Sequence, residues 1–391
     1  MEVKMKRIIA LVLVLVLTLA VVGCGGKDKD SSIKVGLLGC ITGDYAQYGV
    51  AVFNGAKLYI NKVNAEGGIN GKKIELIEYD DKGDSTEAVN AFTRMVDNDG
   101  ITALIGSVLS GASIAVVGEA YPIGMPVISA SATAAAFTYN EETDTVYSNA
   151  FRVCFIDPFQ GEKMAQFAAE KLDAKTAAVI YETGNDYAVG LKDAFVKECA
   201  EQGITVVADE GYSKGDKDFR SQLTNIAAKE PDVVFSPNYY EDDGMIVTQA
   251  RQVGVTATFL GGDGWARVTE YASAADLEGS YYCSSYAASS TDAIKEFEAE
   301  YAEAYNGEAP SMFAALGYDA AVVLVDALKA AEAKKLKAGT DDYKAAVIDA
   351  MKNTSSVGVT SKYSFDEFNN PIKDAVIIKV ENGNEVFAQM F

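Results

Sequence analysis

The chain of 391 residues contains no histidine. That absence removes Ser-His-Asp and Cys-His nucleophilic catalysis, histidine-based zinc sites and the commonest general base, leaving an enzyme only carboxylate chemistry. Cysteine is scarce, with five residues and no Cys-x-x-Cys spacing, so no zinc ribbon or dithiol motif is encoded. Basic residues are outnumbered, 34 Lys and Arg against 56 Asp and Glu, for a formal charge of −22. Nucleic acid is not an expected partner, because binding it needs a basic stripe that displaces counterions. Proline numbers seven, and no proline- or serine-rich stretch strings the chain into separated parts. The Gly106-x4-Gly111 segment lacks the Lys-Ser/Thr of a phosphate loop and is not Gly-x-Gly-x-x-Gly. Asp80-Asp81 lacks the glycine and distal Glu of an EF-hand. Neither a cofactor nor a metal is expected.

What is present begins with an address. Lys4, Lys6 and Arg7 precede Ile8 to Val22, a fifteen-residue apolar run that is short for a spanning helix. The run ends in Val21-Val22-Gly23-Cys24 with no Ala-x-Ala site nearby, which predicts an export signal over residues 1–23. The same four residues resemble a bacterial lipobox. That resemblance implies that Cys24 becomes the first mature residue and carries acyl chains that anchor the protein in a membrane. Residues 24–32 then form a flexible polar tether.

From Ile33 onward, short β-branched runs alternate with amphipathic helical runs, the mark of βαβ units and mostly parallel sheets. A first series includes strands at 33–38, 73–79, 102–105, 127–129 and 151–155, with helices at 48–65, 84–97 and 111–121; Asp84-Ser85-Thr86-Glu87 opens the second helix as a capping box. A second series runs from a helix at 160–172 to a strand at 258–260. Further strands are expected at 279–285 and 375–380, and helices at 294–306, 313–333 and 341–352. Two series with no linker between them predict two hinged lobes enclosing a cleft. In open α/β sheets, ligands sit outside the carboxyl ends of the strands.

The loops at those ends suit a small zwitterion. Gly106 to Ser113 and Ser129 to Thr133 place small hydroxyl residues and free N–H groups at helix starts, where an anion is stabilised without any arginine. The same hydroxyls are equally suited to capping their own helices. In the second series, Tyr181 to Tyr187, Asn238 to Asp242 and Gly261-Gly262-Asp263-Gly264-Trp265 offer aromatic faces and one carboxylate framed by glycines, fit for an ammonium. A turn Asp in a glycine-rich bend is the plainer account of Asp263.

Ordered motifs join these loops. Ile33-Lys34-Val35-Gly36, Thr42-Gly43-Asp44-Tyr45-Ala46-Gln47-Tyr48-Gly49, Asn54-Gly55-Ala56, Asn64 to Gly71 and Asp80-Asp81 come first. Gly215-Asp216-Lys217-Asp218-Phe219, Tyr239-Tyr240, Gln249-Ala250-Arg251 and Gly317-Tyr318-Asp319-Ala320 follow. In this order they resemble the leucine/isoleucine/valine-type substrate-binding lipoproteins of ABC importers, which have the type I periplasmic-binding-protein fold, over essentially the whole mature chain.

The resemblance implies an α/β protein of two lobes, residues 33–153 with 286–360 and residues 154–285 with 361–391, each a mostly parallel sheet flanked by helices and joined by three crossovers. It implies that Ser110 and Thr133 bind a ligand carboxylate, helped by backbone groups at Ser131. Asp263 would pair with the ammonium, and Tyr48, Tyr187 and Tyr239 would line the cleft. Asp263 stands where the best-known branched-chain binders have Glu. Phe313 either closes the side-chain end of the pocket or belongs to the core.

The expected protein is a non-enzymatic, monomeric receptor anchored through Cys24 to the outer face of the cytoplasmic membrane. It would capture a free amino acid, branched-chain or otherwise aliphatic, and pass it to an ABC permease. Alternatives are a binder of amides, urea or aromatic acids on the same fold, or an extracellular hydrolase using Asp157 with Glu182.

Overall fold

A computed structural model describes residues 32–391; the leader, Cys24 and most of the tether lie outside the described residues. The first lobe is built on β1 (Ser32–Gly39), β2 (Lys73–Asp80), β3 (Ala103–Ile105), β4 (Val127–Ser129) and, after a small hairpin of β5 (Tyr139–Asn140) and β6 (Thr145–Val146), β7 (Ala150–Arg152). Its sheet is wholly parallel in the order β2-β1-β3-β4-β7. Between these strands run α1 (Ala46–Ala65), α2 (Ser85–Arg94) and α3 (Ser110–Ala120).

The second lobe interleaves α4 (Asp157–Leu172), β8 (Thr176–Glu182), α5 (Asp186–Gln202), β9 (Thr205–Tyr212), α6 (Arg220–Ala227), β10 (Val233–Phe235), α7 (Tyr240–Gln252), β11 (Thr258–Gly261), the short α8 (Ala274–Leu277) and β12 (Tyr281–Ser284). The chain then returns to the first lobe as α9 (Asp292–Ala304), α10 (Met312–Ala333) and α11 (Asp341–Lys352). It ends in the second lobe as β13 (Val376–Glu381) and β14 (Asn384–Met390). The second sheet has the order β14-β13-β12-β11-β10-β8-β9, parallel except at β13 and β14.

The strands read as continuous apolar runs because helices cover both faces of a parallel sheet. Ile33, Val35 and Leu37 of β1 enter the core beneath α1 and α10, while Leu38, with Leu104 of β3, enters the one beneath α2 and α3. At the start of α2 the Asp84 carboxylate accepts from the Thr86 and Glu87 N–H groups. Only half of the capping box forms, since the Asp84 N–H donates to the Asp81 carbonyl instead. No helix among the described residues is long and apolar enough to cross a membrane.

Three crossovers join the lobes, at residues 153–156, 285–291 and 353–375. The strand expected at 151–155 is therefore cut to Ala150–Arg152, its remainder being the first crossover. Residues 361–374, which the sequence reading places in the second lobe, lie along the first. Thr138 Oγ1 donates to Asn370 Oδ1 at 3.3 Å, Asn369 Nδ2 donates to Tyr147 O, and Phe365 packs on Phe151. The buried Asp319 of α10 pins this segment by accepting from the Val359 and Thr360 N–H groups and from the Thr360 and Tyr363 hydroxyls. Lys373 Nζ then donates to Val153 O, tying the third crossover to the first.

Candidate functional site

The carboxyl ends of both sheets face one cleft, and the lobes are closed over it. On the second lobe, β11 ends at Gly261 and the chain bends into a tight turn at Asp263–Trp265. Small residues are required in this bend, because a Cβ at Gly262 would lie 2.7 Å from the Tyr187 hydroxyl and one at Gly264 2.5 Å from the Asn238 carbonyl. Asp263 is buried in the bend. Gln160, in the first turn of α4, grips it twice: Nε2 donates to Asp263 Oδ1 at 3.1 Å and Oε1 accepts from the Asp263 N–H at 2.9 Å. Burial pushes the Asp263 carboxyl up to about 6, and the hydrogen bond from Gln160 works against that rise. A carboxylate held this way is short of countercharge.

Tyr187 is the second residue of α5, whose cap is Asn185; its hydroxyl accepts from the Gly264 N–H at 2.8 Å and its ring stacks on Tyr239 at 5.1 Å. Tyr48, on α1 of the first lobe, reaches across the cleft. Its hydroxyl donates to Gly264 O and accepts from the Tyr240 N–H at 3.1 Å. Tyr240 returns the contact by donating to Asp44 O at 2.7 Å. The rings of Tyr45, Tyr48, Tyr239, Tyr240 and Phe313 form the seam between the lobes.

The hydroxyl loops face this wall from the first lobe. Ser110 does not cap α3; Leu109 occupies the cap position, and Ser110 Oγ accepts from the Ala134 N–H at 3.2 Å, tying the two loops together. Ser131 Oγ donates to Val108 O at 2.8 Å. Together Tyr48, Ser110, Ser131, Tyr187, Tyr239 and Asp263 line one small cavity, with Val108, Leu109, Gly264 and Phe313 completing it. Phe313 is both buried core and cavity wall. Thr133 is the exception: it is fully buried, does not line this cavity, and has its hydroxyl beside the Asp157 carboxyl.

A wider opening of about 130 Å³ adjoins at Leu109 and Tyr239 and has Glu182, Asn185 and Asp186 on its wall. Asp157 lines a different recess, so the carboxylate pair needed for hydrolysis does not share a pocket. Burial raises the Asp157 carboxyl well above the ordinary range, and the neighbouring Thr133 hydroxyl works against that rise. Cys40, Cys154, Cys199 and Cys283 are free and buried. No group of three or more Cys, Asp or Glu among the described residues is placed to hold a metal ion.

Sequence reasoning missed Gln160, Arg152 and the structural setting of Asp157. The one available signal was polar residues, Asp157 and Gln160, on the buried side of a helix start.

A cleft with hydroxyls and a helix start on one lobe, and an under-compensated carboxylate on the other, complements a molecule carrying opposite charges at its two ends. Residues 32–385 match the family described as periplasmic binding protein. The Leu/Ile/Val-binding protein BraC3 of Rhizobium johnstonii is 33% identical over 249 residues, 64% of this chain and 66% of that protein. The leucine-, isoleucine-, valine-, threonine- and alanine-binding protein of Pseudomonas aeruginosa is 29% identical over 86% of both chains. Among solved structures, the leucine binding protein LivK of Thermotoga maritima superposes with a TM-score of 0.83 at 30% identity, covering 92% of this chain and 98% of that one. LivJ of Streptococcus pneumoniae, in complex with isoleucine, gives 0.81 at 32% identity, covering 91% and 99%. A match that runs from the first strand into the last, on a shared two-lobed fold, makes this chain a member of the periplasmic binding protein family.

Proposed function

We propose that the protein is the extracytoplasmic receptor of an ABC importer and captures an aliphatic amino acid, branched-chain by preference, between its lobes. The observation that carries this reading is the buried Asp263 carboxyl facing Ser110 and Ser131 of the opposite lobe across one small cavity. The ligand's ammonium pairs with Asp263, which compensates the isolated charge. Its carboxylate takes the hydroxyl and N–H donors of Ser110 and of the loop from Ser131 to Thr133, and its side chain lies against Val108, Leu109, Tyr48 and Phe313. A ligand that bridges both lobes binds the closed form preferentially, which is how it shifts the hinge. The protein acts without catalysis or cofactor, as a monomer, and delivers its ligand to a permease in the cytoplasmic membrane.

Calorimetry against Leu, Ile, Val, Ala and Phe, with benzamide, urea and benzoate alongside, tests the ligand class. The emission of Trp265, the single tryptophan and the last residue of the Asp263 turn, serves as a second readout. Binding of the aliphatic amino acids is expected. Binding confined to amides or aromatic acids would overturn the proposal. Anchoring through Cys24 is tested separately: Cys24→Ser should release the protein from the membrane fraction, and continued retention rules the lipid anchor out.

A further inference from the structure

The first lobe contains a buried cation that no ion pair accounts for. Arg152, the last residue of β7, is fully buried. Its Nη1 donates to Ala132 O at 2.7 Å and to Ala134 O at 2.9 Å, and its Nη2 donates to Thr138 Oγ1 at 2.9 Å. The guanidinium also lies over the Phe137 ring, 5.3 Å from its centroid. Every one of these partners is neutral. Asp157 and Asp366 act on the guanidinium through space, but neither hydrogen-bonds or ion-pairs with it. An arginine side chain does not shed its proton, so the charge stays and needs compensation.

The two carbonyls that Arg152 engages flank Thr133. The first belongs to the peptide whose other end is the Thr133 N–H, which has no partner among the described residues. A carbonyl that accepts from a cation polarises its own amide, and the N–H at the far end becomes a stronger donor. In a water-poor interior the field of the guanidinium also reaches past the loop.

We propose that Arg152 is a positioning residue for the ligand's carboxylate, acting from behind the loop: by holding the Ala132 and Ala134 carbonyls it fixes the segment that follows Ser131 and bonds Ser110, and it supplies the positive charge that the cavity wall lacks. The carboxylate is therefore a counter-ion that Arg152 serves from the far side of the loop. This rests on the amino-acid reading above, and it explains how an anion is held in a cavity lined by no Lys or Arg.

The test compares leucine with leucinamide, which has no carboxylate, on the full chain and on Arg152→Gln and Arg152→Lys. Arg152→Gln should lower leucine affinity by tenfold or more and leucinamide affinity by less than threefold, collapsing the preference for the free acid. Arg152→Lys, which keeps the charge, should restore part of that preference. An equal loss for both ligands, or no loss for either, overturns the inference, since a merely structural arginine gives no discrimination. If Arg152→Gln does not fold by circular dichroism, the Lys variant decides on the same ratio: a leucine-selective loss supports the inference and an equal loss overturns it. Failure of the unmodified chain to bind leucine overturns the functional proposal and this one with it. Leucine binding by that chain with an equal loss in the variants overturns this one alone.

Discussion

At the scale of single residues, Asp263 has the most to lose when the cleft is empty. Its acid form is favoured by burial up to about pH 6 in the folded chain, against an ordinary value of 3.8. The raised value means that this residue contributes stability below about pH 4, and that the contribution is lost as pH rises through about 6. At neutral pH the empty site thus contains a poorly compensated charge, and a ligand ammonium relieves it. Protonation competes with that ammonium, so leucine affinity should fall below pH 6 by up to about tenfold per pH unit. In Asp263→Asn, affinity should be lower by roughly 100-fold at pH 7, as expected when one partner of a buried charge pair is removed, and nearly flat between pH 5 and 7. Calorimetric titration across that range checks both, and a flat profile in the unmodified protein removes Asp263 from the role.

At the scale of elements, legibility followed the distance over which each signal acts. The alternation of runs made the strands and helices of both lobes readable, because parallel strands covered on both faces need apolar residues throughout. The strand-end loops containing Ser110, Ser131 and Asp263 were readable for the same reason: a βαβ pattern fixes where strands stop. The β13–β14 hairpin was missed despite its turn, Asn382-Gly383, where both residues have positive φ, 51° and 76°, and the pairing closes from Glu381 to Asn384. Such an Asn-Gly pair between two runs is a strong hairpin signal. Gln160 was not legible, since its grip on Asp263 spans a separation of 103 residues and no local pattern encodes it. Arg152 was hidden differently. The sequence suggested an anion site needing no arginine, and only the folded loop brings the guanidinium behind it. The path of the third crossover along the first lobe was not legible, because the partners of Asn370 and Phe365 there, Thr138 and Phe151, lie far back in the chain.

At the scale of the whole molecule, the closed arrangement rests on contacts between the lobes themselves. The Tyr48 hydroxyl bonds to Gly264 and Tyr240, and half-buried Gln47 donates to exposed Glu270 at the rim. Tyr48→Phe keeps the ring in the aromatic seam but removes two buried hydrogen bonds, each worth about 1 kcal/mol. Small-angle scattering should show a more open empty protein. Affinity should drop by about tenfold, and alike for Leu, Ile, Val and Ala, because the variant changes the population competent to bind rather than the fit of any side chain. A reordered ligand ranking with unchanged scattering would instead make Tyr48 a specificity residue.

The tyrosine clasp across the cleft bears on traffic as well as on affinity. A docking site that recognises the closed shape reads geometry, and geometry held by protein contacts alone resembles a loaded carrier whether or not cargo is inside. Each increment of clasp strength sharpens retention of the ligand and also raises the share of empty carriers that occupy the same docking site. The strength of the Tyr48 contact therefore sets a compromise between scavenging at low supply and throughput when supply is ample.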